Sequence, residues 1–203
     1  MRSDRQISPS GRLNTRDYIN VGVFTALYFA VNFMTAMVGF AGPAFMFVGW
    51  ALGILLGGIV IALFIARTPK FGALTLLGFI NGLLFVMTGL WWGAVIVCTL
   101  LGLIADLIVT RGALPSIAKR VPWAYAVFSL WLVAPLFPVL FNADAYYAGI
   151  ESQMGADYSN GMRELFQTWV IGVWTICIAV LGYFGGLLGV RATAKHFARS
   201  GLA

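Results

Sequence analysis

Long apolar runs, separated by short polar or glycine- and proline-rich punctuation, dominate the chain. Six runs stand out, at residues 17–38, 44–66, 71–88, 91–110, 123–141 and 165–190. Each approaches the roughly 20 residues that an α-helix needs to cross the hydrocarbon of a bilayer. Between them lie a Gly39-to-Pro43 turn, the tight connector Arg67-Thr68-Pro69-Lys70, a short Gly89-Leu90 turn and a polar segment with two prolines at 111–122. A much longer polar stretch, residues 142–163, precedes the last run. The pattern predicts an all-α integral membrane protein, a bundle of six transmembrane helices. Residues 1–16 are expected to form an N-terminal tail, 17–190 one membrane domain and 191–203 a C-terminal tail.

Composition strengthens this reading. Hydrophobic residues make up 61% of the 203 positions and charged residues 10%, against about 25% charged in soluble domains. A soluble fold of this length could not hide so much apolar surface, so the bilayer is the expected solvent. Cys98 and Cys177 each sit inside an apolar run with no metal-like spacing, and read as small buried hydrophobes. The N-terminal segment MRSDRQISPSGRLNTRDYIN is polar and basic, and is expected to be a cytoplasmic tail leading into a retained first helix.

Charge gives the runs a direction. Twelve of the thirteen basic residues fall in the N-terminal tail, the second connector, the fourth connector and the C-terminal tail. The first and third connectors carry no charge, and the fifth carries Arg163 among Asp144, Glu151, Asp157 and Glu164. Lys and Arg accumulate on the cytoplasmic side of membranes. The alternation predicts an even number of spans with both termini cytoplasmic. It also explains the basic pI as a topology signal, with some attraction to anionic lipid, and removes any need for a nucleic-acid partner.

Small residues recur at four-residue spacing: Gly49, Gly53 and Gly57 in the second run, Gly78 and Gly82 in the third, Gly182 and Gly186 in the sixth. Such stripes let helices approach closely, and these three are expected to pack within the bundle. The first run has its own stripe, Gly22, Ala26 and Ala30, which could pack inside or dock another membrane protein.

Catalytic constellations are not evident. The single histidine, His196, lies in the C-terminal tail, so no Ser–His or Cys–His pair and no histidine-carboxylate metal cluster is expected in the membrane. No phosphate-binding loop is present. The runs hold essentially one ionisable group, Asp106, near the cytoplasmic end of the fourth. It reads as a buried cap or as a partner for a neighbouring basic connector, not as part of an ion relay. The chain is therefore not expected to be an enzyme, to hold a cofactor or metal, or to pump by itself.

The outward half is rich in aromatic and amide groups: Trp91 and Trp92 opening the fourth run, Tyr146 and Tyr147 in the long polar stretch, Trp131 in the fifth run and Trp169 one turn into the sixth. Asn32 and Asn81 are amides inside runs one and three, and both should face inward because an unpaired amide is costly in lipid. Aromatic rings with a few polar groups line many small-molecule pockets, and these eight residues are candidate substrate contacts. Interfacial Trp and Tyr also form anchoring belts, and Asn81 could serve a purely interhelical hydrogen bond. The long polar stretch is expected to be a lid. Its acidity weakly favours a cationic or neutral ligand, and the aromatic richness favours a ring-containing one.

The segments RDYINVGVFTALYF (16–29), RTPKFGALTLLGFINGLLF (67–85), ADLI (105–108) and YAVFSLW (125–131) resemble a family in their order and spacing. It is the group of substrate-binding S components of energy-coupling factor (ECF) transporters called Trep_Strep or MptD-like. The resemblance implies a six-helix subunit of the bacterial cytoplasmic membrane that binds a vitamin or other micronutrient in an outward-facing pocket. It implies association with a membrane coupling subunit and two cytoplasmic ATPases, and toppling in the membrane to release the cargo. It also implies that an Ala-x-x-x-Ala stripe on the first helix, here Ala26 and Ala30 extended by Gly22, docks on the coupling subunit. By the same token the pocket falls at the outer ends of the later spans, at Trp91, Trp92, Tyr146, Tyr147 and Trp169. The residues alone leave a second possibility, a stand-alone facilitator or small channel.

Overall fold

The computed structural model describes residues 12–194. The basic residues at positions 2, 5, 195 and 199, and His196, lie outside them. Eight α-helices run in chain order among the described residues: α1 Thr15–Ala36, α2 Phe45–Arg67, α3 Ala73–Met87, α4 Ala94–Arg111, α5 Ile117–Ser129, α6 Phe137–Met154, α7 Ala156–Leu165 and α8 Thr168–Ala192. Two 3-10 segments, Met37–Ala41 and Leu130–Leu136, extend α1 and join α5 to α6. Five stretches are long and apolar enough to cross a membrane: Thr15–Ala41, α2, α4, the broken unit Ile117–Met154, and α8.

Three expectations need correction. The third run is a helix of 15 residues, about 22 Å long, and falls short of the full hydrocarbon thickness. Its start is set by Gly72, whose φ of 89° suits glycine. The fifth run starts earlier than expected, at Ile117, and is no continuous helix. It tightens into the 3-10 segment that contains Pro135, then resumes at α6. A proline removes an intrahelical hydrogen bond and clashes with the preceding turn, which accounts for the break. The polar stretch 142–163 is not a loop. It forms the second half of α6, after a non-helical Asn142 (ψ 74°), and most of α7, with Gly155 at φ 87° between them.

The glycine stripes fix how the helices meet. On α2, a Cβ at Gly49, Gly53 or Gly57 would strike Thr35, Asn32 or Tyr28 of α1, in antiparallel order. Gly78 and Gly82 of α3 face Cys98 and Val95 of α4, and Gly102 of α4 faces Leu74 in return. Gly182 and Gly186 of α8 sit against Ser129 and Pro122 of α5. These stripes pack within the bundle, as expected. A further set, not singled out from the sequence, joins α2 to α8: Gly58 meets the backbone of Gly185, and Gly189 meets Gly58 and Ala62. Higher numbers pair with higher numbers there, so α2 and α8 run parallel.

These pairings place the described basic residues of the tails and connectors at one end of the bundle. There Lys70 bonds Asp17 at 2.7 Å, and Asn20 donates to the Thr68 hydroxyl. Asp17 also accepts from the Asn14 backbone N–H at 2.8 Å, closing the capping box that starts α1. Arg120 of α5 donates to the Val109 and Leu114 carbonyls. Asp106 of α4, buried, receives the Leu74 and Thr75 backbone N–H groups and the Thr75 hydroxyl. Of the two roles its position suggested, it takes that of a buried cap: α3 has no side-chain cap of its own, and the neighbouring helix supplies one.

The helices leave large apolar side chains on the outer surface at four-residue spacing, such as Ile96, Leu100 and Ile104 on α4 and Ile176, Val180, Phe184 and Leu188 on α8. Extended apolar surface of this kind is untenable in water and ordinary in lipid. The interior holds Tyr28, Phe64, Tyr125, Phe128 and Trp131, all essentially inaccessible. Trp131 donates its indole N–H to the Tyr28 hydroxyl at 2.9 Å, and Tyr125 donates to the Ile54 carbonyl at 2.7 Å. The bundle axis is thus filled by interlocked aromatic rings.

Candidate functional site

The end opposite the basic cluster is where cavities open. The connector Gly89–Trp91, the prolines Pro135 and Pro138, and the second half of α6 enclose a chamber of about 400 Å³. Trp91 forms one wall, held edge-on to Phe137 at 5.9 Å between ring centroids. Tyr146, Gly149, Ile150 and Gln153 of α6 form the opposite wall. A smaller chamber of about 160 Å³ lies on the other side of α6, among Gly39, Phe40, Met46, Met154, Tyr158 and Met162. Tyr146 and Ile150 line both.

The α6–α7 hairpin that covers this end is tied down at defined points. The Tyr158 hydroxyl donates to the Gly39 carbonyl at 2.8 Å, and Ser159 donates to the Tyr147 carbonyl at 2.9 Å. Burial pushes the Tyr158 phenol above its ordinary value, so it keeps the proton it donates. Arg163 lies over the Tyr147 ring at 4.7 Å and pairs with Asp144 at 2.9 Å. That ion pair is largely exposed and contributes little stability. Phe166, just after α7, is buried against Phe47 and Trp50. The hairpin is bounded by the break at Asn142 and by the non-helical Phe166–Gln167 link.

Of the eight candidate contacts, the structure brings Trp91 and Tyr146 together around one chamber. Trp92, 64% exposed, lies tilted beside Trp91, with ring centroids 5.6 Å apart, but faces outward. Tyr147 points away from the larger chamber into the hairpin packing, with its hydroxyl unpartnered. Trp169 is 67% exposed and donates to Gln167 on its own helix end. Trp131 belongs to the aromatic core. Asn32 and Asn81 both face inward. Asn32 donates to the Tyr28 carbonyl one turn back, at the α1–α2 seam. Asn81 is fully buried and neither of its polar atoms has a partner. The sequence reading missed Pro135, Pro138 and Gln153. The two prolines carried a usable signal, since they punctuate an otherwise apolar run.

The stripe on α1 has the opposite character from the other glycine faces. Gly22, Ala26 and Ala30 are exposed, and a Cβ at Gly22 would meet nothing. Ile19, Val23, Leu27 and Met34 flank them, also exposed. The result is a shallow apolar trough along the outer face of the first helix.

Helices of this length and apolarity, lipid-type outer faces and a segregated basic end define a multi-pass helical membrane protein. A family model described as a hypothetical bacterial integral membrane protein (Trep_Strep) matches residues 15–199, and the chain belongs to that family. No curated protein and no solved structure matches the chain.

Proposed function

We propose that the chain is the membrane-embedded substrate-binding subunit, the S component, of an ECF-type importer for a vitamin or other micronutrient. The observation that carries this reading is the chamber between the Gly89–Trp91 connector, Pro135, Pro138 and α6, at one end of a bundle whose interior is filled by Tyr28, Phe128 and Trp131. Its volume of about 400 Å³ falls in the range of small-molecule sites. A site at one end of a bundle with a filled interior suits a binder; a facilitator or channel needs a continuous path, and the packed aromatic interior argues against one.

In this reading the basic end is cytoplasmic and the chambers face outward. The chain then crosses the membrane six times, through α1, α2, α3, α4, the broken α5–α6 unit and α8, with both termini in the cytoplasm. The short α3 is accommodated because Asp106 satisfies its buried start. The α6–α7 hairpin is the lid, and the exposed trough at Gly22, Ala26 and Ala30 docks the coupling subunit. Two ATPase subunits bound to that partner supply the energy, and the chain itself performs no catalysis.

Reconstitution separates binder from conduit. The small molecule that mass spectrometry recovers from the purified chain is offered to vesicles holding the chain alone. Tight binding without flux is expected. Flux through vesicles that lack the partners would overturn the proposal in favour of a facilitator.

A further inference from the structure

Resting on that reading of the larger chamber, we infer that its ligand is an uncharged, ring-bearing molecule whose permitted length is set by Tyr146. Two independent features of the site lead there.

The first is charge. The polar stretch is acidic in sequence, yet Asp144, Glu151, Asp157 and Glu164 are all exposed, and none lines either chamber. Arg163, the basic residue of this end, is engaged with Asp144 and the Tyr147 ring. An ionic ligand in either chamber would lose hydration without gaining a counter-charge, which is costly. The walls offer instead the Trp91 and Tyr146 rings, two prolines and the Gln153 amide. These suit a flat neutral ring with a hydrogen-bonding substituent.

The second is the partition. Tyr146 and Ile150 stand one turn apart on α6 and are the residues common to both chambers. With the Tyr146 ring in place, the space beside Trp91 takes a compact molecule. With the ring withdrawn, the space continues toward Met46, Met154 and Met162. Methionine is flexible and repacks at small cost, so the far side of the partition can yield to a longer molecule. Gly149, beside the partition, adds no side chain to block the path.

The test uses the full chain in lipid nanodiscs and four probes: benzamide, its near-isosteric cation benzamidinium, its near-isosteric anion benzoate, and the longer neutral biphenyl-4-carboxamide. Binding is read as the part of the tryptophan fluorescence change that disappears in Trp91→Phe. For the wild type, benzamide should bind at least tenfold tighter than either charged probe. Tyr146→Ala should favour the biphenyl over benzamide at least tenfold more than the wild type does, and Ile150→Ala should move the preference the same way. Tyr146→Phe, which restores the ring, should restore the wild-type length preference. Equal binding of the three charge forms, or equal changes for both lengths in both alanine variants, overturns this inference while leaving the chamber a ligand site. Failure of every probe to bind any of the proteins overturns the site itself, and the inference with it.

Discussion

The Asp106 carboxylate on α4 accepts both the backbone N–H and the hydroxyl of Thr75 on α3, at 2.7 and 2.6 Å, deep in the bundle. One side chain thus starts a neighbouring helix. Removing it leaves the Leu74 and Thr75 N–H groups without partners, and each buried orphan donor costs about 1–3 kcal/mol. Asp106→Ala should therefore lower stability by about 3 kcal/mol. Asp106→Asn, which keeps an accepting oxygen, should lose less. Thermal unfolding monitored by thiol labelling of the buried Cys98 checks the order. The residue lines neither chamber, so probe affinity in the folded fraction should not change.

Glycines of the same chemical type should respond in opposite ways. A side chain at Gly58 would run into the Gly185 backbone, so Gly58→Leu should prevent assembly of the bundle or destabilise it by more than the 1–3 kcal/mol typical of overpacking. A side chain at Gly22 meets nothing, so Gly22→Leu should leave unfolding of the isolated chain unchanged. Yield and melting temperature of the two variants in detergent decide the matter.

The anchor of the α6–α7 hairpin should be separable from the chamber. Tyr158→Phe removes the hydrogen bond to Gly39 and should raise amide exchange in residues 143–165 several-fold, with α1 to α5 unaffected. Because burial raises the Tyr158 pKa above its ordinary value of about 10, the phenol is protonated in the folded protein throughout the neutral range. The anchor's contribution is complete below the unfolded value and is lost only as pH rises through the raised one. Protection of the hairpin, corrected for intrinsic exchange, should be flat from about pH 6 to 9.

The interfacial tryptophans should divide by position. Trp91→Ala should weaken binding of the recovered ligand more than tenfold, because its ring forms a chamber wall. Trp92→Ala and Trp169→Ala should change it less than twofold, because both rings face outward. Titration of the three variants against the same ligand makes the comparison.

Those tryptophans also show where sequence reading ends. Their chemistry suits a belt and a pocket equally, and only the fold of the Gly89–Trp91 turn against Phe137 selects Trp91. The glycine stripes were legible because four-residue spacing fixes a helix face, and the basic connectors because charge obeys the membrane. Asp106 was legible as a structural carboxylate because an isolated carboxylate in an apolar run must be satisfied locally, but its sequence position alone did not choose between a helix cap and a partner for a basic connector. The α6–α7 hairpin was not, since its polar composition suits a loop as well as a surface helix, and tertiary anchors such as Tyr158 to Gly39 leave no local trace. Trp131 joined the candidate list by residue type, whereas its partner Tyr28 lies about a hundred positions away. The α2–α8 seam was missed for a related reason: Gly58, Gly185 and Gly189 form a face only when two distant helices are brought together.

The central claim is that this chain is a binding subunit which borrows its energy from partners. The most direct measurement is affinity purification of the tagged full chain from native membranes, quantifying what accompanies it, for the wild type and for Ala26→Trp combined with Ala30→Trp. The wild type should carry one membrane coupling subunit and two ATPase subunits. The double variant should lose them while retaining its melting temperature and bound ligand. A wild-type chain that purifies without such partners, or a double variant that keeps them in full, would contradict the account.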